Sequence, residues 1–141
     1  MTDVDEAMRA VATSAAAVRE HAYAPYTHFP MGAAILTSGG DTISGALVEN
    51  VSLGLAMCAE RVALFSAVTH RQQPVMLAVC SERTGNDLTF PCGACLQVAL
   101  EIGGPELVVV AVDLDGELEH STVVELLTRA PKRHSPSTTS S

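Results

Sequence analysis

Apolar positions recur with two different periods along this chain, and the changes of period mark its elements. Val4, Ala7, Met8, Val11, Ala15 and Val18 fall at helical spacing, which predicts an amphipathic helix over 3–22. Alanine is abundant there, and Asp3, Asp5 and Glu6 sit in the first turn, where the helix dipole favours acids. Pro25 and Pro30 in AYAPYTHFP force a loop. Residues 31–37 and 42–47 read as two strands of a hairpin around Ser38-Gly39-Gly40-Asp41. After a Gly-containing loop over 50–57, residues 58–70 read as a helix. VMLAVC at 75–80 is a continuous apolar run, the mark of a buried strand. A polar loop over 83–90 leads to a helix at 93–102, stopped by Gly103-Gly104-Pro105. Residues 106–112 are a second buried strand, and Asp113–Gly116 turns into a short strand at 117–120. Thr122 with Glu125 forms a capping box for a last helix.

The order helix, hairpin, helix, strand, helix, two strands, helix indicates an α/β layered domain. The 141 residues suit one domain over 1–130. The segment 131–141, rich in Pro, Ser and Thr, is expected to be a disordered tail.

Charge narrows the partners. Sixteen acids against eight bases give a net charge of −8, and only 4% of residues are aromatic. Nucleic-acid binders need a basic stripe or stacking platforms, so a polyanionic partner is disfavoured and a small ligand is compatible. No apolar run approaches the ~18 residues of a membrane span, and the acidic N-terminus lacks a signal peptide's positive start. A cytoplasmic location is expected, with Cys58, Cys80, Cys92 and Cys95 as thiols or metal ligands. His21, His28, His70, His120 and His134 fall in no ligand spacing and read as surface positions.

Two segments carry candidate chemistry, Cys58-Ala59-Glu60 and Pro91-Cys92-Gly93-Ala94-Cys95, each where a loop enters a helix. One helical turn puts Cys92 and Cys95 on the same side. Helix N-termini offer unpaired N–H groups and positive potential, which favour the thiolate that binds metal. Three thiolates around one Zn²⁺ leave a tetrahedral position open for water. Glu60, two residues from Cys58, is placed to take that water's proton, and Arg61 to offset the excess negative charge. Two blander readings stand beside this one. Cys80 could complete a four-ligand structural site, although the end of VMLAVC is an ordinary place for a small buried thiol. A redox Cys-x-x-Cys leaves Glu60 without a role.

With Cys58 in the His position, the pattern is that of H-x-E…P-C-x-x-C zinc nucleobase deaminases. Over about residues 10–128 the chain resembles the cytidine deaminase family of the small homotetrameric type, in AYAPYTHFPMGAAIL, GALVENVSLG, MCAERVALFSAV and PCGACLQV. The resemblance implies a three-layer fold with a central mixed sheet of about five strands flanked by helices. It implies a hydrolytic reaction that replaces the exocyclic amine of a cytidine-like nucleoside by a carbonyl, with one zinc per chain. Glu60 would shuttle the proton, Phe29 would stack near the base, and Glu49 would bond a sugar hydroxyl. The backbone around Ala59 and Pro91-Cys92 would read the base edge, and Arg61 and Gln97 match positions around the metal. Phe29 as core and Glu49 as a structural hydrogen-bonding group are the plain alternatives.

The departures cluster at the sugar end. The family's Asn-x-Glu reads Leu47-Val48-Glu49 here, Leu53 stands where a Tyr is usual, and Leu96 where Arg is common. Leu126-Leu127-Thr128-Arg129-Ala130 replaces an LLP ending, and no Phe follows. Leu47 cannot bond a hydroxyl, so a free base or a modified or sugar-less amino-heterocycle is an alternative substrate. A non-catalytic zinc-stabilised binding protein is an alternative of another class.

Overall fold

A computed structural model of the chain describes residues 3–132. The expected tail lies, from residue 133 onward, outside the described residues, as does His134. Helix α1 (Asp3–Arg19) is followed by the hairpin β1 (Gly32–Thr37) and β2 (Thr42–Ala46), then a 3-10 turn at Leu53–Leu55. The chain continues through α2 (Ala59–Thr69), β3 (Pro74–Cys80), α3 (Gly93–Gly103), β4 (Val108–Val112), β5 (Leu118–Thr122) and α4 (Val123–Leu126). The strands form one five-stranded sheet in the order β2-β1-β3-β4-β5. Among the described strands only β3 and β4 pair in parallel, joined by the α3 crossover, so the sheet is mixed as expected.

Strand alternation sorts the core into two layers. Ala33, Ile35, Leu77 and Val109 face α2 and α3, meeting Ala63, Leu64, Ala67, Ala99 and Leu100. Ala34, Met76, Ala78, Cys80, Val110 and Val112 point the other way, onto Met8, Val11, Ala12 and Ala15 of α1. The expected three layers are therefore α1, the sheet, and the α2–α3 pair.

Glycine sets how closely α2 sits. A Cβ on Gly45 would lie 2.6 Å from Ala63 N and 2.8 Å from Ala59 O, so the absence of a side chain lets the α2 backbone rest on β2.

Several boundaries differ from the sequence pattern for local reasons. The helix expected over 3–22 stops at Arg19, because the chain turns there and Tyr23 N donates to Leu47 O at 2.8 Å. Cys58 is the N-cap of α2 rather than its first helical residue. Glu117 does not open β5, because its N–H is spent on Asp113 Oδ1. The Thr122–Glu125 capping box is present in both directions. No helix among the described residues is long and apolar enough to cross a membrane.

Candidate active site

Two helix starts meet to make the site. Cys58 caps α2 and Cys92 caps α3, both with extended backbone and neither using its side chain as a capping acceptor. Their sulfurs are thus left for other work, and Cys95 adds a third from the first turn of α3. The three Sγ atoms lie within 4.8 Å of one another, and Cys92 Sγ is 3.5 Å from Cys95 Sγ. A tetrahedral Zn²⁺ with Zn–S of about 2.3 Å spaces its sulfurs about 3.8 Å apart, so the triad fits one ion. It is the metal-capable cluster found among the described residues. Cys80 does not belong to it. Its side chain is on the α1 face of the sheet, where Sγ reaches only Asp113 O at 3.8 Å. The four-cysteine structural site therefore fails on strand parity.

The electrostatics favour ionisation of one thiol of the three, Cys58. The Cys58 thiol is pulled down to about 5, first by the hydrogen bond from Cys95 and then, against burial, by Arg61. Cys95 donates in that bond and is pushed above the ordinary thiol range. Arg61 Nη2 stands 3.5 Å from Cys58 Sγ, and that bond holds the guanidinium still more firmly protonated.

Glu60 is 2% exposed, and its Oε1 has no hydrogen-bond partner. Burial pushes its carboxyl up to about 7; its own backbone N–H opposes this, the Cys58 charge adds to it, and Arg61 opposes it. A buried carboxyl oxygen left without a partner costs stability, so an orphan here marks a place kept for another group. Among the described residues, Arg61 Nε is the other buried side-chain atom without a partner.

The remaining expected residues are placed unevenly. Ala59 is fully buried at the start of α2. Phe29 is half-buried on the loop before β1. Glu49 is 9% exposed, with Oε1 accepting from Tyr26 N (3.0 Å) and Thr27 N (3.2 Å) and Oε2 from Thr27 Oγ1 (2.5 Å). Leu47 packs against the α2-side core. Leu53 is 84% exposed on the 3-10 turn, away from any described packing cluster. Gln97 donates to Pro131 O at 2.9 Å, which ties the end of the described chain to α3 rather than to the sulfurs. His21, His28, His70 and His120 are exposed.

Sequence reasoning missed how the site's flank is assembled. Tyr23, Val48 and Met57 bridge side by side, so the segments before Phe29, around Glu49 and before Cys58 form one small platform. It also missed Thr27. A Thr two residues before Phe29 is a local signal, since such hydroxyls bond backbone nearby.

Comparison with known proteins agrees with this geometry. Residues 5–111 match the family model described as the cytidine and deoxycytidylate deaminase zinc-binding region. A cytidine deaminase of Halalkalibacterium halodurans is 42% identical over 109 residues, 77% of this chain and 82% of that protein. A cytidine deaminase of Mycobacterium tuberculosis is 42% identical over 110 residues, 77% of this chain and 80% of that protein. The crystal structure of a cytidine deaminase from Burkholderia pseudomallei superposes with a TM-score of 0.81 at 41% identity, covering 92% of this chain and 99% of that one.

Proposed function

The chain belongs to the family of cytidine and deoxycytidylate deaminase zinc-binding domains and is a zinc-dependent hydrolytic deaminase; from that premise we propose that it converts cytidine to uridine with release of ammonia. The observation that carries this reading is the buried, unpaired Oε1 of Glu60 beside a triad of thiols. Cys58, Cys92 and Cys95 hold one zinc per chain. When bound, zinc supplies a water acidified towards neutrality. Glu60 takes a proton from the attacking water, gives it to the ring nitrogen, and then delivers a proton to the departing amine. Burial favours the protonated form of this carboxyl, which eases its uptake of that proton. Arg61 holds Cys58 as a thiolate. Phe29 lies along the base, the buried Ala59 backbone borders it, and the free acceptor direction on Glu49 Oε2 takes one sugar hydroxyl.

Leu47 and Leu53 raised the alternative of a different heterocycle. Relatives 42% identical to this chain are cytidine deaminases, which supports the nucleoside. Leu47 is absorbed by core packing and Leu53 faces outward, so neither supports a remodelled pocket within one chain. The intact Glu60 speaks against a non-catalytic binding protein.

The active form is a homotetramer acting in the cytoplasm in pyrimidine salvage. Val51, Leu53 and Leu55, exposed by 79%, 84% and 69%, form an apolar rim on the loop leading to Cys58, which supports coverage by a neighbouring subunit. All four cysteines are free thiols, in keeping with a reducing compartment.

The test is ammonia release from cytidine, deoxycytidine and cytosine, with zinc analysis of the parent and Glu60→Ala. One zinc in both proteins and turnover only in the parent are expected. Zinc without ammonia from any of them would sink the reading. Light scattering checks the tetramer.

A further inference from the structure

The geometry points to Thr27 as a positioning residue, whose single hydroxyl links the Glu49 carboxylate to the Phe29 backbone and fixes the loop bordering the thiol site. This inference rests on the deaminase reading above, in which Phe29 meets the base. Thr27 Oγ1 donates to Glu49 Oε2 and accepts from Phe29 N at 3.1 Å. A hydroxyl has one proton and two lone pairs, and an ionised carboxylate only accepts, so the direction of this relay is fixed. Glu49 also accepts from Tyr26 N and Thr27 N, so one buried carboxylate organises the whole turn.

The backbone that carries the carboxylate is held independently of the Thr27 side chain. Glu49 N donates to Tyr23 O at 2.8 Å, and Val48 exchanges hydrogen bonds with Met57, the residue before Cys58. The loop carrying Phe29 and the start of α2 therefore flank one segment, residues 47–49. Between Thr27 and Phe29 stands His28 with φ of 57°, a left-handed conformation unfavourable for a residue with a side chain. It persists because bonds fix it on both sides: His28 N reaches Ala24 O at 3.0 Å, and Phe29 N reaches Thr27 Oγ1. Removing the hydroxyl frees Phe29 N and half of the Glu49 carboxylate together, and the left-handed residue relaxes.

The experiment compares Thr27→Val and Thr27→Ser with the parent, in zinc content, cytidine kinetics and near-ultraviolet circular dichroism. The chain has no Trp, and Tyr23 and Tyr26 are its two tyrosines, so the tyrosine band reports this loop directly. Thr27→Val is expected to keep its zinc and kcat, to raise KM about tenfold for the lost charge-assisted bond, and to weaken the band. Thr27→Ser restores both. An unchanged KM and band in Thr27→Val would overturn the inference. Should Thr27→Val not fold, Thr27→Ser decides: parent-like KM and band support the hydroxyl, and loss of both assigns the position to methyl packing and overturns it. A parent that releases no ammonia from cytidine would defeat the substrate reading alone, because the tyrosine band still tests the loop.

Discussion

Arg61 Nη2 lies 3.5 Å from Cys58 Sγ, one helical turn beyond the thiol that caps the same helix. On the proposed zinc reading, three thiolates and a divalent ion would carry one excess negative charge, with Arg61 the cation beside them. Arg61→Gln is expected to lower zinc affinity or turnover by about 10–100-fold. Arg61→Lys recovers only part, because a point charge lacks the guanidinium's fixed donors. Zinc transfer to a chromophoric chelator measures the first effect, and ammonia release the second.

Gly45 determines how closely α2, and with it Cys58, approaches the sheet. Gly45→Ala places a methyl against the Ala63 and Ala59 backbones, which cannot rotate away as a side chain can. A loss of about 1–3 kcal/mol is expected from overpacking, together with weaker zinc retention. Denaturant unfolding of the zinc-loaded and stripped proteins checks both. Gly39, whose added Cβ would meet nothing closer than 3.6 Å, serves as the neutral control.

Asp113 supplies a pH dependence that does not involve the thiol triad. Burial alone would raise its carboxyl, but Arg83 Nε at 2.9 Å and the N–H groups of Glu117 and Asp115 hold it below the usual range. A depressed folded pKa means a stabilising contribution fully present above the unfolded value near pH 4. The contribution is lost as pH falls through the lower folded value. Melting temperature is therefore expected to fall on acidification below about pH 4, and to fall less steeply in Asp113→Asn. Parallel curves for the two proteins would count against this assignment.

Cys80 and the triad separate by metal content. Cys80→Ala is expected to keep one zinc per chain, since its sulfur lies on the α1 side of the sheet. Cys92→Ser is expected to lose the ion. Metal analysis after exhaustive dialysis distinguishes them.

The thiol cluster was legible because its signals are local. Cys58, Glu60, Cys92 and Cys95 sit at two helix starts, and a helix start brings residues a few positions apart into one place. The face of VMLAVC that holds Cys80 was half legible. Alternation separates Leu77 and Val79 from Met76, Ala78 and Cys80, but which side receives α1 depends on packing across the whole sheet. The strand order and the Tyr23–Val48–Met57 platform come from pairings distant in sequence, which no periodicity encodes. Glu49 read as a sugar contact because the resemblance implied it; its bonds to the Tyr26–Thr27 turn appeared only with the structure. Gly45 passed unnoticed, since nothing around it in sequence announces a helix lying across it.

The thiol triad draws on two connections, α2 between β2 and β3 and α3 between β3 and β4. Cys58 meets the other two only when both helices are seated, so an ion that binds the triad favours the folded chain by mass action. At a free concentration a thousandfold above its dissociation constant, that bias amounts to about 4 kcal/mol. Abundance in the cell then follows metal supply along with activity: under zinc starvation the chain would become a better substrate for proteases as well as a poorer enzyme.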